Sequence, residues 1–233
     1  MALIGPHFNA SNEMRSIYIG NPNVVVETQT PLLAISKVAQ VVAAVPGCVG
    51  TTGPNPDNDP NGDTGCLNTS GFAAAAQAAQ AADVAIVFVG LTPGQMGNDS
   101  SDAREDEGWD RHLTSLPGHQ GDLVRLIVSK NPKTVLVLIH GGPLSLEWEK
   151  ANVSAILDAH YPGEYGGTAI ADVLFGNVSP AGRTSTLIYP SNITAARSIS
   201  NMNLRDAGGL TYRYYTVREG KDTGRPAETH VAH

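Results

Sequence analysis

Three apolar runs of strand length recur along the chain. Residues 84–89, 134–139 and 153–158 are rich in aliphatic and β-branched side chains, and turn or polar residues bound them. Runs of this kind are typical of strands that are buried on both faces of a parallel sheet. We therefore expect these three strands to lie next to one another in the centre of a mainly parallel sheet.

Segments with helical signals separate the apolar runs. Pro31 suits the first position of a helix, and Gly176 follows the last helical residue of another. Helices are predicted near residues 31–38, 71–82, 117–130, 145–150 and 164–175. Two shorter strands are predicted at residues 2–5 and 41–45. This alternation predicts an α/β fold with helices on both faces of the sheet.

The last part of the chain has a different character. Residues after Arg197 are mostly polar and show no sustained periodicity. We expect one domain over residues 1–196 and an irregular tail over residues 197–233. Because the first apolar residues already read as a strand, we expect the chain to begin at a domain edge.

A polar loop follows the predicted strand 84–89 and contains a cluster of acids. Long loops after the carboxyl end of a strand are where open α/β sheets place their chemistry. A carboxylic acid beside apolar or like-charged neighbours has a raised pKa and suits proton transfer. Trp109 offers an aromatic face on which a sugar stacks, so the loop suits glycoside chemistry; the alternative is a solvated acidic loop. The acids are Asp99, Asp102, Glu105, Asp106, Glu107 and Asp110.

Charge and hydropathy exclude several classes of partner. The net charge of −7 argues against a nucleic-acid or anionic-membrane surface. No apolar run approaches the ~18 residues of a membrane span. We therefore expect neither nucleic acid nor a membrane as a partner.

Cysteines and sequons favour a secreted, extracellular protein. Cys48 and Cys66 flank a turn-rich loop without packing residues, and we expect them to form a disulfide, with two free thiols as the alternative. Six N-x-S/T sequons support the same setting. The predicted glycosylation sites are Asn9, Asn68, Asn98, Asn152, Asn177 and Asn192.

Motifs for metals and cofactors are missing from the sequence. Residues 57–62 resemble the start of a calcium loop, but Asn68 stands where the closing glutamate is needed. The histidines do not form an HExxH motif, and His140 and His160 read as structural or exposed residues. The glycines of the His140-Gly-Gly-Pro segment predict a tight turn. We expect neither a metal nor a cofactor.

Several long motifs, taken together and in this order, resemble one family. They are VPGC ending at Cys48, CLNTSGF at 66–72, EDEGWDR at 105–111, LPGHQ at 116–120, VLVLIHGGP at 135–143, AHYPGEYGGTAIADVLFG at 159–176 and SPAGR at 179–183. The chain is similar to the β-xylosidase/β-glucosidase branch of glycoside hydrolase family 3. The resemblance covers most of residues 2–215 and corresponds to the second, C-terminal domain of these enzymes.

This resemblance implies a fold and a set of roles. It implies a three-layer α/β sandwich with about six strands that packs against a (β/α)8 barrel. Glu107 matches the general acid/base of the family, and Glu105 is the near alternative. Trp109 and Arg111 are the expected substrate-binding residues, and the substrate is a β-linked xylo- or gluco-oligosaccharide. The barrel carries the nucleophile, so we expect the isolated chain to be inactive or weakly active.

A second function remains open at this point. The chain is either the acid/base part of a retaining glycosidase or a non-catalytic module that binds saccharide or protein. Retaining hydrolysis needs two carboxyl groups about 5–5.5 Å apart, and one domain that carries one of them cannot complete the cycle.

Overall fold

The computed structural model describes residues 1–11, 13–16, 29–48, 65–93, 104–105, 111, 113–184, 188–192, 210–218 and 221–232. These residues belong to two compact units, Met1–Ser191 and Asn192–His233.

The first unit is built on a five-stranded parallel sheet. Its strands lie in the order β2-β1-β3-β6-β7, and all four pairings are parallel. The strands are β1 (Ala2–Ile4), β2 (Ala43–Val45), β3 (Ala85–Gly90), β6 (Thr134–Ile139) and β7 (Ala155–Asp158). A separate parallel pair joins β4 (Thr92–Pro93) to β5 (Arg104–Glu105). The predicted α/β class and parallel sheet are confirmed.

Five α-helices in the described part of the chain cover the sheet. They are α1 (Pro31–Val38), α2 (Phe72–Ala81), α3 (Gln120–Lys130), α4 (Glu147–Asn152) and α5 (Gly166–Leu174). A 3₁₀ turn spans Glu13–Arg15. The side chain of Thr30 caps α1 by accepting the Leu33 N–H, and Pro31 stands at the first helical position as the sequence predicted.

Alternate residues of the central strands form two cores. Val87 and Leu136 point to one face, where they pack in a cluster with Leu123 of α3 and small alanines of α2. Phe88 and Val137 point to the other face and pack with residues of α1 and α5. Because successive strand side chains face opposite sides, the sheet is a middle layer between two helical layers. This confirms the three-layer sandwich.

The position of β7 corrects one expectation. The three apolar runs are adjacent, as predicted, but β7 is the outermost strand of the described sheet rather than a central one. Ala155 is exposed and the rest of β7 is half-buried. An apolar run of four residues is therefore compatible with an edge strand, and hydropathy alone does not distinguish an edge strand from a central one.

The second unit corrects another expectation. A two-stranded antiparallel hairpin, β8 (Leu210–Arg218) and β9 (Lys221–Ala232), occurs where the sequence predicted an irregular tail. Its polar composition concealed the strands.

Cys48 and Cys66 form the predicted disulfide, with their Cα atoms 4.9 Å apart. The bridge contributes about 3 kcal/mol to the free energy of unfolding in the chain-entropy account. None of the helices in the described residues has the length and apolar character needed to cross a membrane.

Candidate functional site

The carboxyl ends of the parallel strands bring polar residues from distant parts of the chain to one edge of the sheet. His7 follows β1, His140 follows β6, and Asp158 ends β7. The β4–β5 pair begins two residues after β3 and carries Glu105. Open α/β sheets bind ligands at this edge, so it is the candidate functional site.

The Glu105 carboxylate is held by three hydrogen-bond donors. Its Oε2 accepts the Gly141 N–H at 2.8 Å and the Tyr161 hydroxyl at 2.6 Å. Its Oε1 accepts the Gly142 N–H at 2.6 Å. We call these three donors the Glu105 clamp. Charge-assisted bonds of this kind are short and strong, so the clamp ties β5 to the loop after β6.

Neither glycine of the clamp has room for a side chain. A Cβ on Gly141 would lie 2.6 Å from the Tyr161 ring, and a Cβ on Gly142 would overlap the Glu105 carboxylate. The turn that the sequence predicted here therefore also serves to receive a carboxylate. Burial raises the pKa of Tyr161, and the Glu105 charge raises it further, so the phenol stays protonated and donates.

Arg111, which follows Glu107 in the sequence, is also held by a hydrogen bond within the protein. Its guanidinium donates to the Ser115 carbonyl oxygen at 2.7 Å, and the residue is half-buried. Glu105 and Arg111 are thus both held by the protein. Glu107 and Trp109, which the sequence predicted as acid/base and sugar-stacking residues, lie outside the described residues.

A second polar group lies at the same edge of the sheet. The Nε2 atom of His140 lies 3.0 Å from Asp158 Oδ1, and the Nε2 atom of His160 lies 3.6 Å from the same oxygen. His140 is buried, whereas Asp158 and His160 are partly exposed. Burial acts to raise the pKa of Asp158, but the hydrogen bond and charge of His140, helped by His160, outweigh it and lower the pKa.

His7 adds a buried titratable group to this region. One ring nitrogen, Nε2, lies 3.1 Å from the Leu91 carbonyl oxygen and donates to it. The other, Nδ1, has no hydrogen-bond partner among the described residues. Burial lowers the pKa of His7 to about 4, so the ring is neutral at neutral pH.

Sequence reasoning missed both the clamp and the histidine–aspartate group. The three donors of the clamp are 36, 37 and 56 positions from Glu105, and His140 and Asp158 are 18 positions apart. No short sequence motif predicts contacts over such separations. One signal was present, because His140, Asp158 and His160 stand at or just after the carboxyl end of a predicted strand, and Glu105 lies in the long loop that follows another.

Four of the predicted glycosylation sites are accessible: Asn68, Asn152, Asn177 and Asn192 are exposed. Asn9 is half-buried, and its side-chain oxygen accepts the Thr30 hydroxyl. Asn98 lies outside the described residues.

A groove of about 400 Å³ lies beside α3 and α4. Arg125 and Trp148 line it, and the guanidinium lies 5.3 Å from the indole ring centre. The groove shares no residue with the Glu105 clamp or with the histidine–aspartate group. The polar groups at the sheet edge therefore do not line this groove.

Comparison with known proteins decides the family. The chain matches the glycosyl hydrolase family 3 C-terminal domain over residues 1–221. The chain belongs to this family. The sequence resemblance is thereby confirmed, and the sheet edge described above belongs to a glycosidase domain.

Curated relatives of the chain include proteins named as β-xylosidases. The chain is 41% identical over 129 residues to "Probable beta-D-xylosidase 6" of Arabidopsis thaliana, which covers 52% of this chain and 16% of the relative. It is 41% identical over 122 residues to "Beta-xylosidase/alpha-L-arabinofuranosidase 1" of Medicago sativa subsp. varia, covering 48% and 16%. The chain thus spans about a sixth of the length of these curated relatives.

Solved structures support the same fold. A family 3 exo-β-xylosidase in complex with a xylobiose aziridine activity-based probe matches with a TM-score of 0.66 and 29% identity, over 87% of this chain and 23% of that one. A β-glucosidase from Erythrobacter marinus matches with a TM-score of 0.56 and 30% identity, over 76% and 24%.

Proposed function

We propose that this chain supplies the general acid/base to a retaining glycosidase that acts on β-linked xylo- or gluco-oligosaccharides. Glu107 is the acid/base, and the nucleophile belongs to a (β/α)8 barrel domain in cis or in trans. The family match over residues 1–221 and the β-xylosidase relatives support this proposal. A carboxyl acid/base and a separate carboxylate nucleophile are what retaining hydrolysis requires.

The Glu105 clamp is the observation that carries the choice of Glu107. A general acid/base needs an oxygen that faces the substrate and exchanges a proton with it. Both oxygens of Glu105 instead accept hydrogen bonds from the protein, from Gly141, Gly142 and Tyr161. We therefore assign Glu105 as a positioning residue that holds the start of the acidic segment, and Glu107, two residues further along, as the catalytic residue. Arg111 then fixes the far end of this segment through Ser115.

A dependence on the leaving group tests this division of roles. The chain is combined with a barrel domain of a family 3 β-xylosidase, by fusion or in trans, and assayed with aryl xylosides of different leaving-group pKa. Glu107→Ala should lower kcat/KM by about 10²–10⁴-fold for a poor leaving group and much less for dinitrophenol, which needs no proton. Glu105→Ala should lower activity by a similar factor for both substrates, because it displaces the segment rather than removing the proton.

Two controls accompany this assay. The chain without a barrel should not hydrolyse nitrophenyl xyloside, and a robust turnover abolished by Glu107→Gln would show that it carries its own nucleophile. If Glu105→Ala gives the leaving-group dependence and Glu107→Ala does not, the two roles are reversed. If neither substitution matters in an active fusion, the domain acts as a binding module.

We also propose an extracellular location. The Cys48–Cys66 disulfide and the four exposed sequons support it, because disulfides persist in oxidising compartments and Asn-linked glycans are added in the secretory pathway.

A further inference from the structure

We propose that His140, Asp158 and His160 form a binding site for a divalent transition-metal ion of the Zn²⁺ class. The three residues stand at the carboxyl ends of the adjacent strands β6 and β7. The inference does not depend on the proposed hydrolase function, because it rests only on these side chains and is tested by metal binding.

The distances between the ligand atoms suit such an ion. Each of the three residues offers one ligand atom, an imidazole nitrogen or a carboxylate oxygen, and these atoms all lie within 4.8 Å of one another. The two imidazole–carboxylate distances are 3.0 Å and 3.6 Å. In a tetrahedral zinc site with metal–ligand bonds of about 2.0–2.2 Å, neighbouring ligand atoms lie about 3.3–3.5 Å apart. The two imidazole–carboxylate distances lie on either side of this spacing.

The hydrogen bonds of His140 supply an independent argument. Its Nδ1 lies 2.7 Å from the Gly142 carbonyl oxygen, which only accepts, so Nδ1 carries a proton. Its other ring nitrogen, Nε2, faces the Asp158 carboxylate at 3.0 Å. A histidine that donates Nδ1–H to a backbone carbonyl and presents Nε2 to a metal is the usual arrangement in metal sites.

His160 adopts an uncommon backbone conformation that places its ring in this group. Its φ is +50°, in the left-handed region that favours glycine. Its own N–H bonds to Asp158 Oδ1 at 3.3 Å, and its ring lies 4.9 Å from the ring of His140. The third ligand is thus brought toward the other two by the backbone turn that follows β7.

Burial and ligand type favour an accessible, three-ligand site. The His140 side chain is 4% exposed, that of Asp158 21% and that of His160 36%, so the group opens to solvent on one side. An ion enters from that side, and water completes its coordination. Two imidazoles and one carboxylate suit zinc and its transition-metal neighbours better than calcium or magnesium, which prefer oxygen ligands.

The site is linked to the Glu105 clamp through the backbone. His140 directly precedes Gly141, and its ring is bonded to the Gly142 carbonyl, whereas the N–H groups of both glycines hold Glu105. Metal binding therefore stabilises the conformation of the loop that receives Glu105.

Zinc and cobalt binding to the full chain test the proposal. The protein is purified without a histidine tag, stripped with chelator and titrated with Zn²⁺ against a chromophoric competitor, and with Co²⁺ by visible absorption. The variants are His160→Asn, which removes the imidazole while asparagine tolerates the left-handed backbone, and Asp158→Asn. The matched control is His119→Asn, because His119 forms a comparable pair with Asp122 at 3.0 Å on the exposed surface.

We expect the wild-type chain to bind one Zn²⁺ ion, and each of the two variants to lower the Zn²⁺ affinity at least about 100-fold. Even replacing a group that only hydrogen-bonds to a metal ligand lowers metal affinity about 10–100-fold. His119→Asn should bind as the wild type does. Cobalt should give the visible absorption of a four- or five-coordinate ion that His160→Asn removes.

Three results would overturn the proposal. The first is that the wild-type chain does not bind Zn²⁺. The second is that His160→Asn and Asp158→Asn bind it with unchanged affinity. The third is that His119→Asn loses the site.

Discussion

At the scale of single residues, neighbouring groups decide what each titratable side chain does. Tyr161 is half-buried against Glu105 and remains a donor, whereas His7 is fully buried and remains neutral. The sequence resemblance predicts Glu107 as the acid/base, with Glu105 as the near alternative. The contacts of Glu105 with Gly141 and Gly142 form only in the folded chain, so the sequence did not predict them.

His7 predicts a pH dependence of folding stability. Its pKa is about 4 in the folded chain and 6.5 in the unfolded chain, so above pH 6.5 the ring is neutral in both states. As the pH falls from 6.5 toward 4, the unfolded chain binds a proton that the folded chain does not. The free energy of unfolding should then decrease by about 1.4 kcal/mol per pH unit, about 3 kcal/mol in all. Urea unfolding at several pH values measures it.

The matched variants for this prediction are His7→Gln and His119→Gln. Glutamine keeps a donor for the Leu91 carbonyl but does not titrate, so His7→Gln should flatten the profile between pH 6.5 and 4. His119 is exposed, and its replacement should keep the wild-type slope. An unchanged slope in His7→Gln would refute the assignment.

At the scale of elements, the sequence predicted the strands and helices well where periodicity is strong. The strand predicted at 134–139 is β6 residue for residue, and α1 begins at Pro31 as expected. The edge position of β7 and the hairpin β8–β9 were not predicted, because edge placement depends on which strands pair and the hairpin is polar. The clamp was also missed, since it joins β5 to the loop after β6, more than thirty positions away.

Gly142→Ala tests the contact between β5 and that loop. The added Cβ would overlap the Glu105 carboxylate, so the carboxylate must leave its donors. Loss of a charge-assisted hydrogen bond costs about 1.5–3 kcal/mol, and the free energy of unfolding should fall by about that amount. Gly182→Ala is the control, because a Cβ there meets nothing within 4 Å and the backbone needs no glycine.

Chemical denaturation of both variants gives the difference. Tyr161→Phe in the Gly142→Ala background should add little, because both changes disrupt the same clamp. Additive effects of the two substitutions would contradict a single shared contact.

At the scale of the whole molecule, the chain is a family 3 C-terminal domain that spans 16% of its β-xylosidase relatives. Its sheet edge collects residues from β1, β5, β6 and β7, which the sequence separates by up to about 150 positions. At this edge the clamp holds the carboxylate of Glu105. We propose that Glu107, two positions further along, has the acid/base role and that Glu105 has the positioning role.

Azide rescue tests that claim most directly. In the barrel fusion, Glu107→Ala with a dinitrophenyl xyloside should accumulate the glycosyl-enzyme, because no base activates water. Azide needs no base, so it should accelerate turnover and yield a xylosyl azide with retained β configuration, detected by mass spectrometry and NMR. Glu105→Ala keeps Glu107 and should form no such product. A xylosyl azide from Glu105→Ala, together with none from Glu107→Ala, would contradict the account.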